Sequence, residues 1–175
     1  MSFRYVHVDE DGNIEIRTAP TYNAALDEVG PEGWNRVRLD PGYAGFVNDC
    51  GHVLPDRYRR NVVGGVLLMA FGAHAMPYAG PVVFTGWDDH YDDIEVCSLD
   101  DVRASAIVDM GNAIREALGL PVPPRANGPI SQLADYAEWV QITREMAEVA
   151  RAAPTPSVTF LTDPADLAAY LRGAR

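Results

Sequence analysis

The stretch "NRVRLDPGYAGFVN", residues 35–48, decides the fold that we predict for this chain. Its first five residues alternate polar with apolar side chains, which is typical of a strand with one buried face. An Asp-Pro-Gly sequence at residues 40–42 then favours a tight turn, and a second strand-like run follows over residues 43–48. Strands joined by so short a turn pair antiparallel. The stretch therefore predicts an antiparallel sheet in the first half of the chain.

Other segments of this half fit the same sheet. Residues 3–17 contain two strand-like arms around Asp11-Gly12, a pair that favours a hairpin. Residues 21–29 have apolar side chains at helical spacing, and Gly30-Pro31 is expected to end that helix. Residues 80–86 form an apolar run between glycines, which indicates a core strand.

The apolar run Arg60–Phe71 is ambiguous, because its β-branched residues favour a strand while its length suits a buried helix. We predict a helix that ends at Gly72. In that interpretation Gly64 and Gly65 allow close approach of a neighbouring backbone.

The second half of the chain is predicted to be helical. We expect one helix from Ser98 to Leu118, with Ser98 and Asp101 as a capping-box-like start, and another from Pro129 to Ala152. A strand at residues 157–162 and a short helix after it account for residues 157–172. The residues expected to be buried in the two long helices are Val102, Ala106, Met110, Ala113, Ile114, Ala117, Leu133, Ala137, Val140, Met146 and Val149.

The predicted fold is thus a single α+β domain over all 175 residues, with a mostly antiparallel sheet covered by the C-terminal helices. No apolar run reaches the roughly 18 residues that a membrane span requires, and the first residues lack the pattern of a secretion signal. We therefore expect a cytoplasmic protein that does not enter a membrane. Cys50 and Cys97 are the only cysteines, so we expect free thiols rather than a disulfide framework.

The charge pattern excludes one large class of partner. The formal net charge is -11, and all 14 basic residues are arginine, which a GC-rich genome explains without a selected function. A protein that binds the nucleic-acid backbone needs a basic stripe that releases counterions, so we expect no direct nucleic-acid binding. Acidity leaves open that the protein imitates DNA, although the arginines are interspersed with the acids.

The acidic segment Asp88–Asp93 is the candidate metal site. It fails as an EF-hand loop, because an aspartate and a leucine occupy the positions of that loop's glycine and terminal glutamate. Asp88, His90 and Asp92 nevertheless share one face of an extended segment and offer carboxylate and imidazole ligands. The other interpretation is a solvated turn, since adjacent aspartates repel one another unless a cation is present.

Motifs for other cofactors are weak or missing. Cys50 and His52 form one Cys-x-His pair, whereas zinc sites usually draw on two closely spaced pairs. Gly64-Gly65 lacks the spacing and the lysine of a phosphate-binding loop, and the sequence contains no dinucleotide-binding, nucleophile-elbow or zinc-protease motif. We therefore expect no cofactor.

Short motifs in the order of a known family run from Ala25 to Gly86. These motifs are Leu26–Gly30, Val37–Leu39, Phe46–Gly51, Leu54-Pro55, Asn61 and Gly80–Phe84. Over these residues the chain resembles a family of small uncharacterised proteins of bacteriophages, plasmids and GC-rich bacteria, which implies a mobile-element background and no known activity. The chain departs from that family over Gly30–Gly33 and over the more basic Asp56–Arg60.

The same region supplies the candidate binding site. Asn48, Asp49 and Gly51 are predicted to form a hairpin turn, and Asn61 is expected to cap the helix that follows. A cluster of arginines nearby could hold an anionic partner through bidentate contacts, or could simply balance neighbouring acids on a solvated face. The candidate binding residues are Asn48, Asp49, Arg57, Arg59, Arg60 and Asn61.

Three functions remain open at this point. The first is a non-enzymatic accessory protein that binds a protein partner through an acidic surface, and a homodimer is compatible with it. The second is a metal-dependent enzyme with its site at Asp88, His90 and Asp92. The third is a DNA mimic that inhibits restriction-type enzymes.

Overall fold

The computed structural model describes residues 2–51, 53–54, 56–88, 95–121 and 136–152. Its strands form a single six-stranded sheet in which every pairing is antiparallel. The strands are β1 (Phe3–Val8), β2 (Ile14–Ala19), β3 (Trp34–Arg38), β4 (Tyr43–Asn48), β5 (Val82–Asp88) and β6 (Glu95–Cys97).

The strand order is β2-β1-β5-β4-β3, with β6 paired to the second half of β5 on the side that β1 occupies along its first half. The two hairpins predicted in residues 3–17 and 35–48 are confirmed as β1-β2 and β3-β4. Among the described strands β2 and β3 therefore lie at the two ends of this order, β5 lies at its centre, and the short β6 is paired on one side only.

The helices pack on both faces of the sheet, so the predicted α+β class is confirmed. On one face Val6, Val8 and Phe84 pack with residues of three helices. On the other face Tyr5 and Phe46 pack with a short helix and the single 3₁₀ turn Asp27–Val29 that follows it. The helices are α1 (Tyr22–Leu26), α2 (Val62–Ala70), α3 (Asp101–Ala117) and α4 (Tyr136–Ala152), of which α1 lies on the second face.

The helix prediction for the ambiguous run is confirmed by α2. A Cβ added at Gly64 would lie 2.8 Å from Val82 Cγ2, which explains why this position needs glycine: the helix backbone lies directly against the sheet. Gly72 follows the helix with φ +93°, the left-handed conformation typical of a helix end.

The predicted cap and buried stripe of α3 are wrong in part. Asp100, not Ser98, caps the helix by accepting from the Arg103 N–H, while the Ser98 hydroxyl accepts from the Arg4 N–H at 2.8 Å. Val102, which is 79% exposed, and Ala106 do not belong to the buried face. Ala113, Ile114 and Ala117 are buried as predicted. The first half of the buried face contains Ala104, Ile107 and Gly111, where Gly111 lies close to Ile14 of β2.

The helix α4 packs mainly on α2 and α3 rather than on the sheet itself. Its buried residues include Thr143, Ala147 and Ala150, whereas Val149, predicted to be buried, is 44% exposed. Pro129, Leu133 and the predicted strand and helix at residues 157–172 lie outside the described residues. Within the described part of the chain, no helix is both long enough and apolar enough to cross a membrane.

Candidate functional site

Asn48, the first of the predicted binding residues, is buried at the end of β4 and is satisfied by the protein itself. Its Nδ2 donates to the carbonyl oxygen of Val29 and to Glu32 Oε2, each at 3.1 Å. Its Oδ1 accepts from the Cys50 N–H at 2.8 Å. A turn does follow Asn48, but the prediction of a hairpin turn is wrong, because the chain continues to α2 and β4 pairs with β3 and β5.

Glu32 lies next to Asn48 and forms an ion pair with Arg57, the first arginine of the predicted binding site. Arg57 Nη1 and the Tyr58 hydroxyl both contact the Glu32 carboxylate. The hydrogen bond from Tyr58 is the main reason that the pKa of Glu32 lies below its ordinary value, and burial followed by the same bond raises the pKa of Tyr58. Arg57 therefore has an anionic partner within its own chain.

Arg59 also pairs within the chain, but at a different place. Its Nη2 donates to Asp11 Oδ1 at 2.9 Å and its Nε donates to Glu10 Oε2 at 3.3 Å, so it joins its loop to the turn between β1 and β2. Arg60 donates to the carbonyl oxygen of Pro77. Asp49 is exposed and accepts from Asn35 Nδ2 at 3.2 Å across the β3-β4 pair.

Asn61 is fully buried and forms a junction between three parts of the fold. Its Oδ1 accepts from the Gly64 N–H at 2.8 Å, which confirms the predicted helix cap. Its Nδ2 donates to the carbonyl oxygens of Val8 and Gly80, at 3.1 and 3.0 Å. One side chain thus ties the start of α2 to the end of β1 and to the entry of β5.

The six predicted binding residues do not converge on one cavity. Asn48 and Asn61 direct their amides into the protein, and Arg57 and Arg59 pair with different carboxylates. The arrangement favours the structural interpretation of these residues, and their role in ligand binding stays a prediction.

Only one of the predicted metal ligands lies among the described residues. Asp88 is exposed at the end of β5, whereas His90 and Asp92 lie outside that part of the chain, as does His52. Over the described ranges there is no group of three or more His, Cys, Asp or Glu side chains that could hold a metal ion. Cys50 and Cys97 are free and partly buried, and burial raises the pKa of the Cys97 thiol.

A polar cluster around His7 escaped the sequence analysis. Glu28 Oε2 lies 3.8 Å from His7 Nε2 and accepts from Arg17 Nη1 at 2.7 Å, and the Tyr5 hydroxyl donates to the same carboxylate. Burial is the largest cause of a lowered pKa at His7 and of a raised pKa at Tyr5. The cluster fixes the 3₁₀ turn onto β1 and β2. Alternation along residues 3–8 could have placed Tyr5 and His7 on one face, but their partner Glu28 comes from another element.

Local patterns predict β3 as a strand, but they do not show which of its backbone groups pair with a neighbouring strand. The Asp49 N–H donates to the Gly33 carbonyl oxygen at 3.2 Å, so in an antiparallel ladder residues 35 and 37 also bond to β4. The backbone N–H and C=O groups of Trp34, Arg36 and Arg38 consequently point away from β4. No backbone partner for these groups occurs within the described residues.

Side chains of β3 alternate between two different surroundings. Trp34 packs edge-on against Phe46, with ring centroids 5.2 Å apart, and the Arg36 guanidinium lies 4.4 Å from the Trp87 ring centre on the same face. Val37 packs against the opposite core. Neither Arg36 nor Arg38 forms an ion pair with a carboxylate of the described residues.

Grooves flank this edge. One, of about 560 Å³, runs between β3 and residues 72–78, and the other, of about 350 Å³, lies beside Arg36, Arg38 and Trp87. The apolar residues that line the first groove include Val37, Leu39, Val47, Met76 and Tyr78.

Comparison of the chain with protein-family models, curated proteins and solved structures finds no match. The resemblance over Ala25 to Gly86 stays a prediction, and the function is argued from the geometry alone.

Proposed function

We propose that the chain is a non-enzymatic protein-interaction module of the cytoplasm, of mobile-element background, that binds its partner along the β3 edge. One observation carries the proposal: at the side of the sheet, the backbone groups of the alternate residues Trp34, Arg36 and Arg38 have no backbone partner among the described residues, and a groove lies on each face. Such an edge is a template for an added strand, which bonds through its main chain.

The edge differs from the acidic surface that the sequence favoured as the contact. Many of the described acids are already paired with arginines of the chain, as Asp101 is with Arg4 and Glu28 with Arg17. Paired carboxylates offer a partner less charge than the composition indicates, and they also weaken the case for a DNA mimic. The enzyme alternative has no support from the described residues beyond Asp88.

A random peptide library selected on the immobilised protein tests the proposal. The wild type and Arg17→Thr, which changes an arginine of the opposite edge strand β2, are expected to retain the same peptides. Arg36→Pro is expected to lose them. The Arg36 N–H points away from β4, so proline there removes an outward donor without removing a bond of the β3-β4 ladder.

Selected peptides that bind Arg36→Pro as well as the wild type would contradict the use of the β3 edge. Circular dichroism and thermal unfolding of Arg36→Pro establish that the fold survives, so that loss of binding is not mistaken for loss of structure.

A further inference from the structure

We infer that the β3 edge takes an extended peptide in which acidic residues alternate with apolar ones, an inference that rests on the proposed function. Three observations define this occupant: the outward direction of the β3 backbone groups, the apolar groove on one face, and on the other face two arginines, Arg36 and Arg38, that form no ion pair with a carboxylate in the described part of the chain. Each restricts a different property of the ligand.

The backbone groups set the conformation. Outward N–H and C=O groups recur at Trp34, Arg36 and Arg38, two residues apart, which is the repeat of an extended strand. A peptide that bonds to all of them must itself be extended and lie in the plane of the sheet. Its side chains then point alternately to the two faces.

The first groove restricts the peptide side chains that point to its face of the sheet. Val37 and Leu39 pack on the helix-covered core, and the groove beside them continues to Met76, which is 42% exposed. Side chains of the added strand on this face would cover apolar surface that water now reaches. Valine, isoleucine and leucine fit both this surface and the strand conformation.

Arg36 and Arg38 restrict the peptide side chains that point to the other face of the sheet. Arg36 and Arg38 lie on the face opposite to Val37, and side chains of an added strand on that face would come within cross-strand distance of them. Carboxylates are the side chains that complement two guanidinium groups, and they bind arginine in bidentate geometry. An acidic residue at every second position therefore matches the edge.

The opposite edge of the sheet does not share this property. On β2, Arg17 already donates to Glu15 Oε2 and to Glu28 Oε2, at 2.8 and 2.7 Å. Its charge is matched within the chain, so an acidic strand gains less there. An acidic peptide is therefore expected to bind at the β3 edge rather than at the β2 edge.

Titration of the isotope-labelled protein with defined nine-residue peptides, followed by NMR, tests the inference. A peptide that alternates glutamate with valine is expected to bind, with shifts along β3. A peptide that alternates lysine with valine, and one of the same composition with glutamates grouped at one end, are expected to bind at least tenfold more weakly at low salt.

Matched variants test whether the acidic peptide contacts Arg36 and Arg38. Arg36→Thr and Arg38→Thr keep the backbone donors and the strand propensity, and each is expected to weaken the alternating acidic peptide about tenfold. Arg17→Thr is expected to leave binding unchanged, and Arg36→Pro to abolish it. Raising the salt concentration should weaken binding to the wild type more than to a variant that carries both Arg36→Thr and Arg38→Thr.

Four outcomes would overturn the inference. Peptides that bind regardless of charge, yet depend on the outward N–H at position 36, would reject the acidic class and leave the proposed function intact. Self-association through β3 in sedimentation experiments would make a second copy the occupant. Shifts along β3 with single-stranded oligonucleotides alone would make it a nucleic acid. No binding, with self-association appearing only in the arginine-to-threonine variants, would mean that the arginines merely protect the edge from aggregation.

Discussion

Two groups of arginines in this protein differ in whether they pair with a described carboxylate. Arg57 and Arg59 are close together in the sequence, and both pair with carboxylates of their own chain. Arg36 and Arg38 have the same spacing in the sequence, but the structure gives them no ion pair with a described carboxylate. The contrast teaches that the density of charge in a sequence does not identify a binding surface. What matters is which charges the fold has already matched.

The largest effect that tests this comparison is expected at Asn61, which anchors the segment of the first arginine group. Asn61→Ala removes the cap of α2 and leaves the carbonyl oxygens of Val8 and Gly80 buried without their donor. We expect a loss of about 3 to 5 kcal/mol in the free energy of unfolding, measured by urea denaturation.

Asn61→Asp sharpens the test because aspartate keeps the acceptor for Gly64 but replaces the amide donor with a buried charge. It should be at least as damaging as alanine. A small loss for either variant would show that this segment is not held structurally, and would reopen its role as a binding site.

The next effect concerns the cluster that holds Arg57. Gly30 has φ +133°, and a Cβ there would lie 2.3 Å from the Tyr58 hydroxyl oxygen and 2.4 Å from Asn48 Nδ2. Gly30→Ala should therefore cost about 2 to 4 kcal/mol, from backbone strain and displacement of the cluster.

Gly33→Ala is the matched control, since Gly33 has φ +107° but no atom within 4 Å of an added Cβ. It should show strain alone, about 1 kcal/mol. Equal losses for the two variants in urea denaturation would indicate that the tight packing around Gly30 has no energetic consequence.

A smaller effect is expected from the buried His7, which lies beside Glu28, a carboxylate already paired with Arg17. Its pKa in the folded protein is lowered, chiefly by burial and then by Arg17, although Glu28, Asp9 and Glu15 oppose this. The unfolded chain therefore binds the proton more tightly, so this contribution to stability is present above about pH 6.5 and is lost as the pH falls towards the folded pKa.

Urea midpoints measured between pH 7 and pH 5 test this sign. His7→Gln should show a flatter dependence on pH than the wild type, while His74→Gln, at an exposed position, should follow the wild type. If His7→Gln instead lost more stability than the wild type as the pH falls through this range, His7 would have to gain a proton on folding.

The smallest effects are expected from the arginines themselves. Arg59→Ala breaks ion pairs of a largely exposed side chain, and Arg36→Ala breaks none with a described carboxylate, so both should unfold within a few degrees of the wild type. The two variants should differ in peptide binding instead, where only Arg36→Ala is expected to matter. Thermal unfolding and peptide titration on the same samples check both statements.

Much of the fold could be predicted from local patterns. Alternation over residues 35–48 identified β3 and β4, and the length of the run at residues 60–71 identified α2. The first half of the buried stripe of α3 could not be placed, because Ala104 and Ile107 differ little from Ala106 and Val108 until the sheet shows which side is covered. Likewise the cap moved from Ser98 to Asp100 because Ser98 found a partner in β1.

The role of Asn61 could be predicted only in part. Asn61 was identified correctly as a helix cap, since an asparagine before an apolar run accepts from the first turn. Its bonds to Val8 and Gly80 join residues 53 and 19 positions away, and no local pattern carries that information.

The sequence by itself determined most of the described strands and helices and the presence of an excess of acidic charge, because hydrophobic periodicity and turn chemistry act between near neighbours. Only the tertiary structure decided which charges are matched and which edge of the sheet is open, since ion pairs and strand order join residues far apart in the chain. The guanidinium group of Arg59 forms an ion pair within the chain, whereas that of Arg36 lies over an aromatic ring and forms none with a described carboxylate. The two groups are chemically identical, so the difference comes from the residues that the fold places beside them.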